Sequence, residues 1–338
     1  MELLTSSYDF NLPDELIAST PTNPRDSAKL LVYDRKNGAI THAIFSDIED
    51  FLPKDCVMIF NDTKVIKARL FGKKPTGAKV ELLINRALDE HSVNVFIKGK
   101  VKTGSKLLFD ANLSAEVKKL CEDGSRVVEF YKEDQKIDFD ELLPILKQIG
   151  HTPLPPYINR ADTKEDELEY QSVFAKYDGA VAAPTASLHF TTELFSKVTQ
   201  KHKHGFVTLH VGAGTFKPVE SVSILNHPMH SEYFNIPKTT KELLDSTNDI
   251  LCVGTTATRV VEYYIRTKET SGEANLFLHP QNKPLRATHL LTNFHLPKST
   301  LLMLVASFVG LEKTHELYKE AISKNYRFYS YGDALLIL

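Results

Sequence analysis

The spacing of apolar positions changes character twice along this chain. In residues 1–60, short apolar runs lie between polar turns. Pro13-Asp14-Glu15-Leu16-Ile17-Ala18 opens a short helix, with proline and acids in the first turn, where the helix dipole favours them. Residues 29–33 (KLLVY) read as a strand, and Asn37-Gly38 is a turn signal that makes it one arm of a hairpin. Residues 56–60 (CVMIF) are a continuous apolar run of buried-strand length that stops at Asn61-Asp62-Thr63-Lys64. From about Val65 to Tyr131 the rhythm becomes short alternating segments, at 68–71, 79–84, 93–98, 106–109 and 126–130. Gly72, Pro75-Thr76-Gly77, Gly99, Gly104 and Asp123-Gly124 separate them. Strands so spaced predict a small β-barrel or sandwich. Residues 138–149 are helical by pattern. The stiff, proline-rich passage 151–157 then reads as the return linker from an inserted domain.

Beyond residue 158 an α/β rhythm resumes. Residues 162–170 are acidic and expected to be exposed. Residues 206–211 read as a strand with Val207, Leu209 and Val211 on one face and Thr208 and His210 on the other. Residues 250–253 form another strand, and Gly254-Thr255-Thr256 leads from it into a helix holding Arg259 and Glu262. Residues 290–295 repeat this strand-to-helix layout, with Ser299 as cap of a helix at 300–309. That helix is apolar on every face, and its ten residues make it a buried core helix. Residues 316–324 predict a last amphipathic helix.

Composition narrows the class. At 338 residues, 42% apolar and 25% charged, the chain suits a globular protein of two domains. No apolar run reaches the ~20 residues of a spanning helix. The start MELLTSSYDFNLP lacks the basic and apolar regions of a secretory signal, so a cytoplasmic location is expected. Cys56, Cys121 and Cys252 form no CxxC pair, which points to a reducing compartment and away from a structural zinc cluster. The net charge of −2 carries no global nucleic-acid signal, so any such contact needs a local basic face. Lys64, Lys67, Arg69, Lys73, Lys74 and Lys79 supply a candidate: on a barrel they can follow a phosphate backbone, or be solvated surface.

Candidate chemistry gathers at strand ends. Asn61-Asp62-Thr63-Lys64 stands where ligands bind in α/β sheets, with Asp62 able to accept hydrogen bonds and Lys64 to meet an anion. It also reads as an Asx turn. Gly212-Ala213-Gly214-Thr215, directly after His210 and Val211, can form a backbone nest for an anion. His227-Pro228-Met229-His230-Ser231-Glu232 offers two imidazoles and a carboxylate, although Pro228 disrupts the helix that would align them on a metal. Thr255, Thr256 and Arg259 sit at or near a helix start suited to an anion. Asn293, Phe294 and His295 can bind and stack a purine. Tyr326-Arg327-Phe328-Tyr329-Ser330-Tyr331 packs four aromatics around an arginine and either completes the core or closes a pocket.

Taken together, these segments resemble one family, the S-adenosylmethionine:tRNA ribosyltransferase-isomerases of queuosine biosynthesis. The resemblance rests on FNDTKVIKARLFG (60–72), YQSVFA (170–175), GAVAAPTASLHFT (179–191), VTLHVGAGTFKPV (207–219), HPMHSE (227–232), VGTTATRVVE (253–262), TNFHLPKSTLLMLV (292–305) and YRFYSYGDALLI (326–337). With DFNLPDELIA near the start, they cover nearly the whole chain in the family's order. Departures occur at Ala28-Lys29 and at residues 280–286 (PQNKPLR).

The resemblance implies a main α/β layered domain, residues 1–62 and 152–338, interrupted by an inserted small β-barrel domain, residues 63–151. It also implies the reaction. The ribosyl moiety of S-adenosylmethionine, a consumed co-substrate with no bound prosthetic group or metal required, is transferred to 7-aminomethyl-7-deazaguanine in the tRNA wobble position and isomerised. Epoxyqueuosine-tRNA forms, and adenine and methionine leave. The partners are that tRNA and S-adenosylmethionine, no membrane is involved, and the chain is expected to act as a monomer. His210 or His189 is expected as the base at C5′, since the sulfonium acidifies that carbon and imidazole titrates in the right range. Asn293 and His295 are placed near the purine or target base, and Asp62 and Glu232 at the amine. Asn61, Thr63, Lys64, Thr185, Gly212, Gly214, Thr215, His230, Thr255, Thr256, Arg259, Arg327 and Tyr331 complete the substrate-contacting set. Lys67, Arg69, Lys73 and Lys74 are the expected RNA contacts. Two other readings are a metal-dependent hydrolase using His227 and His230 and a non-catalytic RNA-binding protein.

Overall fold

A computed structural model describes residues 2–216 and 219–338. Met1, Lys217 and Pro218, the last two within the segment 207–219, lie outside the described residues, as does the side chain of Phe216. In chain order the strands are β1 (Lys29–Tyr33), β2 (Ile40–Ile44), β3 (Val57–Asn61), β4 (Thr63–Val65), β5 (Arg69–Lys73), β6 (Lys79–Ala87), β7 (Ser92–Lys98), β8 (Lys106–Leu108), β9 (Leu113–Leu120), β10 (Arg126–Lys132), β11 (Gln135–Lys136), β12 (Tyr177–Ala180), β13 (His204–Leu209), β14 (Glu232–Asn235), β15 (Ile250–Val253), β16 (Ser271–Ala274), β17 (His289–Asn293) and β18 (Ala334–Ile337). The α-helices are α1 (Phe139–Ile149), α2 (Asp166–Glu169), α3 (Thr192–Lys201), α4 (Lys238–Leu244), α5 (Thr255–Thr267), α6 (Thr300–Val309) and α7 (Leu311–Ser323). No helix is long and apolar enough to cross a membrane, among the described residues.

The fold is mixed α/β, as its rhythm predicts. A nine-stranded sheet runs β16-β14-β13-β3-β15-β17-β18-β1-β2. Its four central strands, β13, β3, β15 and β17, are parallel to one another, so Leu209, Asn61, Val253 and Asn293 end at one edge. The continuous apolar runs of β3 and β15 follow from burial on both faces. Met58 and Phe60 pack with Phe45, Phe190, Leu251 and Val253 on one side. Val57 and Ile59 pack on the other, against Ala257, Val260 and Tyr264 of α5. Helix α6 is apolar all round because it is enclosed with Phe294, Leu317, Tyr318, Tyr326 and Phe328 in a third core. Ser299 caps it, accepting a hydrogen bond from Leu302 N.

The second sheet closes into a barrel of six strands, β10-β7-β6-β5-β8-β9, with β9 returning to β10 and β11 appended to β10. Leu82, Ile84, Val95, Val117, Val128 and Phe130 share its core with Leu142, Ile145 and Leu146 of α1. Helix α1 begins where the pattern placed it, and Asp138 and Glu141 form a reciprocal capping box. Strand β4 belongs to neither large sheet and pairs in parallel with β12.

Several local expectations change. The acidic stretch 162–170 is not simply exposed, since Asp166 is buried and receives both terminal nitrogens of Arg160, at 2.6 and 2.7 Å. The helix expected near residue 13 is a single 3-10 turn. Strand β9 was unread because Ala115, Glu116, Lys118 and Lys119 are helix formers. Its alternating Leu113, Ala115 and Val117 nevertheless turn into the barrel. Strand β18 lies between β17 and β1, so the aromatic tail preceding it does complete the core.

The divergent segment 280–286 has a structural anchor. Fully buried Glu262 accepts hydrogen bonds from the backbone N–H groups of Leu285, Arg286 and Ala287 at 2.7–2.8 Å, and pairs with Arg266. Glu262→Ala would strand these donors and the guanidinium. It is expected to lower unfolding free energy in urea by about 3–5 kcal/mol. A loss below about 1 kcal/mol would show that the segment stands without this anchor.

Candidate active site

The parallel strand ends open onto two adjoining spaces. The smaller is a cavity of about 190 Å³. It brings together Thr185, Thr215, Thr255, Thr256 and His295 with Tyr157, Pro184, Ser299, Tyr329 and Ser330, and no residue lining it carries a formal charge at neutral pH. Its floor is the start of α5. Gly254, at φ 93°, turns the chain from β15 into that helix. Tyr157 and Tyr329 form one wall with ring centroids 4.0 Å apart. Burial pushes the His295 imidazole down to about 3, and its Nε2 is hydrogen-bonded to Thr292 Oγ1 at 2.7 Å. An uncharged space of aromatics, hydroxyls and one neutral imidazole suits a planar heterocycle.

The larger space is a groove of about 1130 Å³ between the barrel and the main sheet. His210, Gly212, Gly214, His230 and Glu232 face barrel residues such as Asn85, Arg86 and Asn94 across it. Asp89, Asp123, Asp140, Asp178, Glu220, Glu232 and Glu273 line it against one arginine, Arg86, so the groove favours cations. His210 leaves the end of β13 with Nδ1 hydrogen-bonded to Thr63 Oγ1 at 2.8 Å and its ring stacked near Tyr233. Burial lowers its pKa, partly opposed by Asp178, and keeps the imidazole neutral. Gly179 lies against the ring: a Cβ there would sit 2.8 Å from it, at a φ of 152°.

The glycine turn is held from below and from the barrel. Glu232 Oε1 accepts from Gly212 N at 2.9 Å, while Oε2 accepts from Arg259. Burial pushes this carboxyl up, but Arg259 and then His230 outweigh it and hold the pKa at about 2. From the other side, Asn85 Oδ1 accepts from Ala213 N at 2.9 Å. Asn85 occupies a bulge in β6, where the register with β7 shifts, and this aims its side chain out of the barrel. Asn85 Nδ2 donates to Asn94 Oδ1, Asn94 Nδ2 to Ser125 Oγ, and Ser125 Oγ to Asp123 Oδ1, at 2.7–2.8 Å. This one-way relay fixes the Asn85 amide with its oxygen toward the turn. The sequence carries almost no sign of it, since Asn85 falls on the outward-facing, polar set of β6 with Lys79 and Glu81.

Other expected residues lie behind these spaces. Asn61 lines neither. Its Nδ2 donates to Leu209 O and Thr256 Oγ1, and its Oδ1 accepts from Leu209 N and Thr63 N. Asp62 is buried, accepts from Thr208 Oγ1 at 2.7 Å, and has its pKa raised by burial. Lys64 lies on the surface, 3.9 Å from Asp178. His189 lines neither space. It stacks on Phe45 at 4.8 Å, and burial drives its pKa down to about 4. Asn293 donates to Tyr329 O and Ser330 O, and so shapes the cavity without lining it. Arg327 pairs with Asp333, and Tyr331 OH donates to Asp166. His227 lies at the groove rim, edge-on to Phe277. Tyr157, Pro184 and Ser299 were missed as site residues because a proline-rich passage, a loop proline and a helix cap each have an ordinary reading.

With this geometry in view, the comparisons decide the family. The model of the queuosine biosynthesis protein family matches residues 5–337. The chain belongs to that family. A curated relative from Sulfurimonas denitrificans, named S-adenosylmethionine:tRNA ribosyltransferase-isomerase, is 67% identical over all of this chain and 99% of its own. A second of that name, from Nitratiruptor, is 60% identical over 99% of both chains. The crystal structure of the S-adenosylmethionine tRNA ribosyltransferase of Thermotoga maritima shares 34% identity over 98% of this chain and all of that one, with a TM-score of 0.56. This queuosine-family chain therefore shares its fold with a solved relative.

Two outcomes follow from the site's construction. His189 and His295 stay neutral when folded, with pKa values of about 4 and about 3, but take up protons near pH 6.5 when unfolded. The unfolded state thus binds more protons below that pH, and stability falls as pH is lowered. From pH 7.5 to 5.5 the pair is expected to remove on the order of 2–3 kcal/mol. Urea titrations at the two pH values check this, and a folded His189→Gln, His295→Gln variant should lose most of that dependence. Separately, Asn85→Ala leaves the Ala213 N–H without its acceptor. Amide exchange at residues 212–214 should accelerate about tenfold or more, while exchange in β9 and β10 stays unchanged. Equal exchange at the turn would remove the barrel as its support.

Proposed function

We propose that the chain transfers the ribosyl moiety of S-adenosylmethionine to 7-aminomethyl-7-deazaguanine in the tRNA wobble position and isomerises it, giving epoxyqueuosine-tRNA with release of adenine and methionine. The observation that carries this is the 67% identity, end to end, with a relative named for the activity. The site suits its chemistry. Adenine or the target base is an uncharged heterocycle matching the small cavity. The sulfonium and ammonium of S-adenosylmethionine and the aminomethyl group are cations matching the groove. S-adenosylmethionine is consumed as a co-substrate.

In this reading His210 takes the C5′ proton next to the sulfonium. In the same reading Nδ1–H donates to Thr63 Oγ1, which leaves the Nε2 lone pair to take the proton, and burial keeps the ring unprotonated. His295 and Asn293 serve the heterocycle, the first from the cavity wall and the second by holding Tyr329 and Ser330 in place. Glu232 places negative charge beneath the turn that receives the amine, while Asp62 stands behind it, held by Thr208. Residues 1–62 and 152–338 act as the catalytic domain and 63–151 as the barrel domain forming the far wall of the groove. The chain works as a cytoplasmic monomer, which light scattering tests. Of the expected RNA contacts, Lys67 pairs with Glu167 and Arg69 with Glu81 and Leu154 O, whereas Lys73 and Lys74 have no carboxylate partner among the described residues.

A metal-dependent hydrolase built on His227 and His230 has no support in the geometry. Glu232, beside His230, is committed to Arg259, and no three His, Cys, Asp or Glu side chains converge among the described residues. The test is incubation with S-adenosylmethionine and tRNA bearing the aminomethyl base, following free adenine. The wild-type chain is expected to release it, and His210→Ala to lower turnover about 10²–10⁴-fold. Folded His189→Ala and His210→Ala variants that both retain near wild-type release would show the base to lie elsewhere. Absence of adenine with the wild-type chain would overturn the function.

A further inference from the structure

The barrel has two chemically different ends. One borders the acidic groove through Asn85–Asp89 of β6 and the loop after it. The other is built by the β5–β6 hairpin, which carries Lys73, Lys74 and Lys79, and by the β7–β8 connection, which carries Lys98, Lys100, Lys102 and Lys106. The fold joins these two distant segments: Lys73 lies opposite both Lys79 and Leu108, Glu81 lies opposite Lys98, and Lys74 Nζ donates to Lys100 O. Lys74 is half-buried and the other six are exposed. None has a carboxylate partner among the described residues. The nearest acids are committed elsewhere, Glu81 to Arg69 and Glu116 to Lys118. Asn85 lies six steps along β6 from Lys79, so the lysine end stands about 20 Å from the groove.

We infer that this lysine end is a phosphate-binding surface for the stem next to the anticodon loop, while the loop's target nucleotide enters the groove. The inference rests on the tRNA reading above. The groove's own carboxylates repel a phosphate backbone, so a bound RNA needs its electrostatic hold elsewhere. A cluster of unpaired lysines about 20 Å away supplies it, and lysine ammonium groups bind phosphate without reading sequence. Sequence reading reached only the hairpin half of this surface, since the second half lies some twenty-five residues further on.

The test uses the full chain and two RNAs bearing the aminomethyl base: whole tRNA, and an anticodon hairpin with its stem cut to two base pairs. Lys98→Glu, Lys100→Glu, Lys102→Glu in one variant is expected to weaken whole-tRNA binding at least tenfold near 0.1 M salt. It should also reduce the slope of log K against log salt by about 2. The truncated hairpin should bind wild type and variant equally. At saturating tRNA, adenine release should proceed at the wild-type rate, because these lysines are remote from the chemistry. Unchanged affinity and salt slope for whole tRNA would overturn the proposal, as would an equal loss with the truncated hairpin, or a wild-type chain that binds no tRNA. A wild-type chain that binds tRNA through these lysines but releases no adenine would instead sink the enzymatic reading alone.

Discussion

One buried amide fixes where the central strands stop. All four hydrogen bonds of Asn61 are made inside the protein, to both backbone groups of Leu209, to the N–H of Thr63 and to the hydroxyl of Thr256. These partners belong to β13, β4 and α5. They locate the residue before His210, the hydroxyl that holds the His210 ring, and the first turn of the helix under the cavity. An aliphatic replacement would leave several of these groups unsatisfied in a dry interior, each at a cost of about 1–3 kcal/mol. Cavity and groove adjoin because one side chain ties their supports together.

Charge is sorted around that knot by distance. Next to it the cavity is neutral, because its one histidine, His295, is too deeply buried to hold a proton and its other lining residues carry no charge. The groove is acidic, and its deepest carboxylate stays ionised because a buried guanidinium faces it. The lysines lie at the far end of the barrel. Neutral, acidic and basic surfaces thus follow one another across the molecule. The net charge of −2 conceals this, because the separation is spatial.

Much of the fold was legible in the sequence, for identifiable reasons. Runs such as CVMIF and ILCV read as central strands because strands covered on both faces need apolar residues throughout. Ser299 read as a cap because its side chain satisfies a helix N–H group locally. Strand β9 was missed because its residues favour helix and only barrel closure overrides them. Strand β18 was missed because its partners are distant in sequence. At the site, His210, the glycine turn and the threonines after Gly254 stood out as polar groups at strand ends. Asn61 stood out equally, but its role is support, since an exposed and a buried asparagine look alike in sequence. Asn85 gave almost no signal, because its meaning depends on a bulge and on a turn about 130 residues later.

The pairing of β1 with β18 carries a consequence for synthesis. Lys29 N donates to Asp333 across a separation of 304 residues, and the strands beyond run side by side. Strands β5 to β11, by contrast, find all their sheet partners between residues 69 and 136. On the ribosome the barrel can close while the second half of the chain is still unmade. The early strands β1 and β3 must wait for β18, β15 and β17 with their apolar faces uncovered. The lysine-bearing module is thus available long before the strand-end edge of the main sheet exists. β1 and β3 are the segments in greatest need of protection during that interval.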